Sequence, residues 1–147
     1  MNRSVFILLG LVASSYATLF LDCGSQGTDV TMDVEGCTEP PCILERGSSY
    51  LVNFKYTSSV NTDSLTISAT ANIGGINVPW PDLDPNACAQ LENSPTPCPI
   101  AAGSYVDWTM SADVLAIYPT IETLVTFQLL DASGNPQTCA KLTAIIV

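Results

Sequence analysis

Histidine is absent from this sequence of 147 residues, and basic side chains are scarce. Without an imidazole, neither a Ser-His-Asp triad nor a Cys-His pair can form, because both need a base that exchanges protons near neutral pH. Four Lys and Arg residues against 14 Asp and Glu residues give a formal net charge of -10. A chain with so few cations lacks the basic patch that nucleic-acid binding requires. The composition therefore disfavours histidine-dependent enzymes and nucleic-acid-binding proteins.

Other catalytic and metal-binding groups are also sparse. Asp82 and Asp84 form the densest acidic group, but a D-x-D sequence next to Pro85 is typical of a solvated turn and lacks the further oxygen ligands of a calcium loop. A hydrolase that uses paired carboxylates is the alternative. We expect no enzyme activity, no cofactor and no metal site. The glycosylation sequon Asn-x-Ser/Thr is also missing after residue 17, where Asn93 is followed by Ser94 and Pro95.

Long apolar runs are limited to the start of the chain. Residues 5–13 are apolar, Arg3 precedes them, and the small residues Ser15 and Ala17 follow. This order is typical of a secretory signal peptide, and the run is too short to cross about 30 Å of hydrocarbon. We expect residues 1–17 to be a signal peptide and the protein to be secreted into the extracellular space, with no stable membrane insertion.

Six cysteines follow that leader: Cys23, Cys37, Cys42, Cys88, Cys98 and Cys139. In an oxidising compartment an even number predicts three disulfides, although spacing alone leaves 15 pairings open. Short separations favour two local pairs, Cys37 with Cys42 and Cys88 with Cys98. Cys23 would then join Cys139. A zinc site competes only weakly, because histidine and paired C-x-x-C motifs are both missing.

Period-two alternation of apolar and polar residues runs through most of the remaining chain. In residues 105–114, for example, Val106, Trp108 and Val114 share one face while Thr109 lies on the other. Six or seven such segments, separated by Gly, Pro and Asn turns, predict a two-sheet β-sandwich in a single domain, residues 18–147. No stretch has convincing helical periodicity. The sheets either interdigitate or are held apart around a cavity, and the pattern does not decide between these.

One stretch stands out because it holds a large apolar side chain on a stiff backbone. Trp80 lies between Pro79 and Pro81, five residues after the Gly74-Gly75 pair that ends an alternating strand. Proline fixes φ and cannot donate a backbone hydrogen bond, so this segment is unsuited to a central strand. Trp80 is therefore placed either at the rim of a site or as a plug at one end of the core.

These residues together resemble a known family, the ML lipid-recognition domain, in its Niemann-Pick type C2 branch. The resemblance covers residues 18–147 and is closest to the small secreted arthropod members. It rests on the order and spacing of several short motifs: Asp22-Cys23-Gly24-Ser25, Gly36-Cys37 with Cys42, Val78-Pro79-Trp80-Pro81, Cys88 with Cys98-Pro99, Tyr118-Pro119 and Cys139.

The resemblance implies an immunoglobulin-like β-sandwich of two antiparallel sheets with an apolar ligand cavity between them. It implies three ligand-binding positions, Trp80, Val114 and Tyr118, with Trp80 where sterol carriers usually have Phe. It also implies a disulfide pairing: Cys23 to Cys139, Cys37 to Cys42 and Cys88 to Cys98.

The function that follows is a secreted carrier that binds a sterol, fatty acid or similar apolar lipid in a tunnel between the sheets. The alternative is an extracellular recognition module for a receptor or a microbial surface lipid, without a carrier role. The expected partners are a lipid and an extracellular receptor or acceptor protein. The acidic charge and the missing sequon argue against lysosomal residence. The bulk of Trp80 argues against cholesterol as the ligand.

The absence of histidine generates a first prediction. We expect lipid binding to change little between about pH 5.5 and 8, because no side chain with an unperturbed pKa in that range is present. Titration across this range with a fluorescent sterol, which has no ionisable group of its own, would measure it. A sharp change of affinity near pH 6.5 would contradict the expectation.

Overall fold

The computed structural model describes residues 17–147, so all of the expected signal peptide except Ala17 lies outside the described residues. Strands dominate this part of the chain. Within it, no helix is long and apolar enough to cross a bilayer. The elements are β1 (Leu21–Asp22), β2 (Thr28–Val34), β3 (Cys42–Leu44), β4 (Ser48–Thr57), β5 (Thr66–Ile73), β6 (Ile76–Pro79), α1 (Ala87–Gln90), β7 (Tyr105–Val114), β8 (Glu122–Leu130) and β9 (Pro136–Ile146).

The strands form two sheets, as the alternation predicted. The larger sheet has the order β1-β9-β8-β5-β6, and β3 also pairs with β9. The smaller sheet has the order β2-β4-β7. All pairings are antiparallel except that of β3, which runs parallel to β9. The expected two-sheet antiparallel sandwich is thus confirmed, with one short parallel pairing that the sequence did not indicate.

The inward faces of the two sheets meet in a continuous apolar core. In β7 the predicted register is confirmed, because Val106, Trp108 and Val114 are buried while Thr109 is exposed. Trp108 packs against Phe54 on the neighbouring strand with ring centroids 6.0 Å apart. Much of the space between the sheets is therefore filled by protein side chains.

The short strands β1, β3 and β6 and the helix α1 have no clear signal in the sequence, because two to four residues are too few to show a period. The strand β6 is an edge strand, a position where Pro79 is tolerated. It pairs with β5 through a two-residue turn in which Gly74 and Gly75 have φ of +61° and +84°. Both values favour glycine, so the Gly pair fixes this hairpin and the position of Trp80 beyond it.

One end of the sandwich is closed by a buried polar network. Gln137, with no exposed surface, donates its amide to the Asp131 carboxylate at 3.2 Å and accepts hydrogen bonds from Ser59. Asp131 also accepts the backbone N–H groups of Ser133 and Asn135. Because buried polar groups are costly to leave unpaired, this network holds the loops of that end together.

The two edges where the sheets face each other differ in how they are closed. At one edge the chain itself fills the gap: Thr18 donates its backbone N–H to Met32, and Leu19 donates to Thr38. At the other edge, β6 of the larger sheet faces β7 of the smaller one. We call this second edge the open seam, because side chains rather than backbone span it.

Three disulfides join the chain in the pairing that the resemblance implies. Cys23 is bonded to Cys139 over 116 residues of sequence. The other two bonds close short loops, Cys37 to Cys42 over five residues and Cys88 to Cys98 over ten. The first bond ties the start of the domain to its last strand, while the others restrain local turns.

The lengths of these loops predict unequal contributions to stability. In the chain-entropy model, closing the long loop is worth about 5 kcal/mol and closing the five-residue loop about 2 kcal/mol. We therefore expect Cys23→Ala/Cys139→Ala to lower the free energy of unfolding clearly more than Cys37→Ala/Cys42→Ala does. Urea denaturation of the two double variants measures this, and equal losses would contradict the loop-length argument.

Candidate functional site

Trp80 spans the open seam and contacts both sheets. Its backbone N–H donates to the carbonyl of Ala69 on β5 at 2.8 Å. Its indole Nε1 donates to the carbonyl of Asp113 on β7 at 3.3 Å. The half-buried indole therefore bridges the edge strands of the two sheets, which a phenylalanine at this position could not do by hydrogen bonding.

Tyr118 packs against Trp80 from the loop between β7 and β8. The two ring centroids lie 5.8 Å apart, with an interplanar angle of 89°. This edge-to-face arrangement is favourable for aromatic pairs. A turn in which the Tyr118 N–H donates to the Leu115 carbonyl, followed by Pro119, places the ring there. Two of the three predicted ligand-binding residues are thus in direct contact.

An apolar cleft of about 200 Å³ lies on one side of this aromatic pair. Its lining comes from the ends of β5, β6 and β9 and from the loop before β8. Every lining side chain is aliphatic, aromatic or proline: Ala71, Ile73, Val78, Pro79, Trp80, Pro81, Tyr118, Pro119, Ile121 and Ile146. Such a concave apolar surface fits a hydrocarbon chain or ring system.

A second cavity, of about 330 Å³, lies on the other side of the pair, in the open seam. Its lining combines apolar and acidic side chains, so we call it the acidic cavity: Trp80, Pro81, Asp82, Leu83, Asp84, Gln90, Met110, Ser111, Ala112, Asp113, Leu115 and Tyr118. Trp80, Pro81 and Tyr118 line both cavities. The aromatic pair is therefore the partition between them.

Val114, the third predicted position, lies in the wall behind the site. Its side chain is buried, with 2% of its surface exposed, and it lines neither cavity. Its neighbours Asp113 and Leu115 line the acidic cavity. Val114 is thus four residues before Tyr118 and next to Asp113, the acceptor of the Trp80 indole, but its own side chain is buried in the core.

Several lining residues were not identified from the sequence. Three of them lie at strand ends, on the faces that alternation predicts to be inward: Ala71, Ile73 and Ile146. Alternation does not show which strand ends meet in space. Gln90 belongs to the short helix α1, which Asn86 caps by accepting the Ala89 N–H at 3.1 Å. These positions depend on tertiary structure that short-range patterns do not report.

Gln90 links the acidic cavity to the core. Its Oε1 accepts a hydrogen bond from the Trp108 indole at 2.8 Å, and its Nε2 donates to the Asp84 carbonyl at 3.1 Å. Both ends of the side chain are therefore held. The buried Trp108 N–H is satisfied, and the loop that carries Asp84 is fixed to the helix.

The Tyr118 hydroxyl oxygen is buried and has no hydrogen-bond partner among residues 17–147. Burial raises the pKa of Tyr118, and the carboxylates of Asp82 and Asp113 raise it further. The ring therefore stays protonated at neutral pH. A ligand group at this oxygen would meet a neutral hydroxyl that can both donate and accept.

Comparison with known proteins fits this geometry. A family model described as the ML domain matches residues 17–146. The chain belongs to the ML domain family. NPC intracellular cholesterol transporter 2 of Mus musculus is 33% identical over 95% of this chain and 93% of that protein. Mite group 2 allergen Lep d 2 of Lepidoglyphus destructor is 28% identical over 84% of this chain and 83% of that protein.

Solved structures show the same fold. A Niemann-Pick type C2 protein from Japanese carpenter ant superposes on 88% of this ML domain chain and 99% of its own, with a TM-score of 0.75 and 24% identity. Chicken MD-1 complexed with lipid IVa covers 84% of this chain and 85% of its own, with a TM-score of 0.52 and 13% identity. The expected immunoglobulin-like fold and Niemann-Pick type C2 resemblance are confirmed.

The two tryptophans of this ML domain should differ in their contribution to stability. Trp80→Phe removes one hydrogen bond at the rim, so we expect a loss of about 0.5–1 kcal/mol. Trp108→Phe leaves a space in the core and removes the partner of Gln90, so we expect about 2–3 kcal/mol. Denaturant unfolding measures both losses. A larger loss for Trp80→Phe would mean that the rim, and not the core, holds the sheets together.

Proposed function

We propose that this ML domain is a secreted, non-enzymatic carrier of a sterol, fatty acid or similar lipid. The observation that carries the proposal is the wholly apolar lining of the cleft beside Trp80 and Tyr118. The relatives named NPC intracellular cholesterol transporter 2 support the same class of ligand. Disulfides in all six cysteines fit an oxidising compartment, which supports secretion.

The sizes of the two cavities suggest how a lipid is accommodated. The apolar cleft of about 200 Å³ is below the roughly 300–1,000 Å³ of typical small-molecule sites. The acidic cavity adds about 330 Å³ and is separated from the cleft by Trp80 and Tyr118. In our proposal these rings move aside as the ligand binds and join the two spaces. Val114 then becomes part of the inner wall.

Apolar burial supplies most of the affinity that the carrier needs. A lipid tail that buries roughly 400 Å² at about 25 cal/mol per Å² gains about 10 kcal/mol, from which an association cost of at least about 4 kcal/mol is subtracted. The remainder of about 6 kcal/mol corresponds to a Kd of tens of micromolar, whereas a Kd of about 1 μM requires about 8 kcal/mol. Contacts of the headgroup at the rim therefore supply the difference and discriminate among ligands.

Mass spectrometry of organic extracts from the purified protein separates the carrier from the alternative recognition module. A stoichiometric lipid is expected for a carrier. A protein that is empty, and that also fails to bind fluorescent fatty acids and sterols, would support a module that recognises a receptor or a microbial surface without carrying lipid.

A charge in the apolar cleft should weaken lipid binding without unfolding the protein. Ile73 lines the cleft at the end of β5 and is 41% exposed, so Ile73→Asp should be tolerated in the free protein. When a lipid covers the site, the new carboxylate must lose its water, at a cost of several kcal/mol. We expect lipid binding to weaken by more than about tenfold, measured by displacement of a fluorescent fatty acid.

Leu124 offers a matched control in the same sheet. It is 40% exposed and does not line the cleft, so Leu124→Asp introduces the same charge at the same degree of burial. We expect this variant to bind lipid within about twofold of the wild type. If both variants bind equally well while remaining folded by circular dichroism, the apolar cleft is not the lipid site.

A further inference from the structure

The acidic cavity carries negative charge, which has no role in binding an apolar tail in the neighbouring cleft. Its lining residues include Asp82, Asp84 and Asp113, and no Lys or Arg. Asp113 is already engaged, because its Oδ1 accepts the Ser49 hydroxyl at 2.6 Å. Asp84 accepts only a backbone N–H, that of Asn86 at 3.0 Å, and both Asp82 and Asp84 are exposed. Two carboxylates therefore remain available to a ligand.

No basic residue of the described chain lines this cavity. Lys55 lies on β4 in register with Asp107, and Lys141 lies on β9 in register with Leu21. Arg46 donates its Nε to the Val147 carbonyl and is also outside the lining. The charged residues of the lining are therefore all aspartates, which favour a cation over an anion at the rim.

Aromatic and hydroxyl groups complete the surroundings that favour a cation. Trp80 and Tyr118 both line the cavity, and the faces of such rings attract ammonium groups. The buried Tyr118 hydroxyl has no partner within residues 17–147, so its oxygen is free to accept a hydrogen bond. Carboxylate, aromatic face and acceptor oxygen are the three kinds of group that bind an organic ammonium ion.

We infer that the acidic cavity is a headgroup subsite that prefers amphiphiles with a protonated amine over alcohols, and alcohols over carboxylates. This inference rests on the proposed carrier function, since the tail of the same ligand occupies the apolar cleft. The amine would lie between Asp82 and Asp84 at the rim, with Tyr118 beneath it. A fatty acid would bring its carboxylate toward the same two charges and be repelled.

The test compares three ligands with one tail. Tetradecylamine, tetradecanol and tetradecanoate are used to displace N-phenyl-1-naphthylamine at pH 7, low ionic strength and concentrations below micelle formation. We expect the amine to bind about fivefold more tightly than the alcohol, and the alcohol about fivefold more tightly than the carboxylate. Added salt should reduce both ratios, because exposed charges are screened.

Variants then assign the ranking to these aspartates. In Asp82→Asn/Asp84→Asn the preference for amine over carboxylate should fall to within about twofold. Asparagine tolerates the φ of +56° at residue 82 and keeps an acceptor for the Asn86 N–H. The control is Asp29→Asn/Asp33→Asn on β2 and its bulge, at the remote edge of the smaller sheet, which removes the same charge and should leave the ranking unchanged.

The outcomes separate this inference from the carrier function. If all three ligands bind with equal affinity, or the carboxylate binds most tightly, the headgroup subsite is wrong while the carrier function stands. If the control pair changes the ranking as much as Asp82→Asn/Asp84→Asn does, overall charge and not this subsite is responsible, which also overturns it. If none of the three displaces the probe, both the subsite and the carrier proposal fail.

Discussion

The structure depends on how two sheets are joined where their edges face each other. A sandwich of twisted sheets has two such edges, and backbone hydrogen bonds of Thr18 and Leu19 close only one of them. At the open seam the Trp80 indole reaches from the end of β6 to the Asp113 carbonyl on β7. This contact is weak compared with a strand pairing. The seam is therefore the place where the sheets can part at least cost.

A weak seam next to a wholly apolar cleft is suited to taking up a lipid. The far end of the sandwich is held by the buried Gln137 and Asp131 network, which cannot open without leaving polar groups unpaired. In our proposal the Trp80 and Tyr118 rings, by contrast, exchange apolar contact with each other for apolar contact with a ligand. The physical asymmetry between the buried polar network and the open seam is the reason that we propose lipid entry at the seam.

The sequence predicted the strands that are long enough to repeat the apolar-polar alternation several times. It predicted less where tertiary contacts decide which residues meet. Alternation over ten residues fixed the buried face of β7, including Trp108 and Val114. The prolines around Trp80 indicated a stiff segment, either at a rim or at one end of the core, and the structure adds that the indole joins both sheets. Ile121 and Gln90 were missed, because a loop residue and a four-residue helix carry no period. Val114 lies deeper than its motif suggested, since spacing does not report depth.

In our proposal a lipid moves Trp80 away from the Asp113 carbonyl while the core around Trp108 stays in place. The two indole N–H groups give two separate signals in a nitrogen-15 correlation spectrum, and Trp80→Phe identifies which is which. During titration with a fatty alcohol, the Trp80 signal should shift strongly and the Trp108 signal should change little. A ligand that binds while the Trp80 signal stays fixed, or that shifts only the Trp108 signal, would show that lipid does not enter past Trp80.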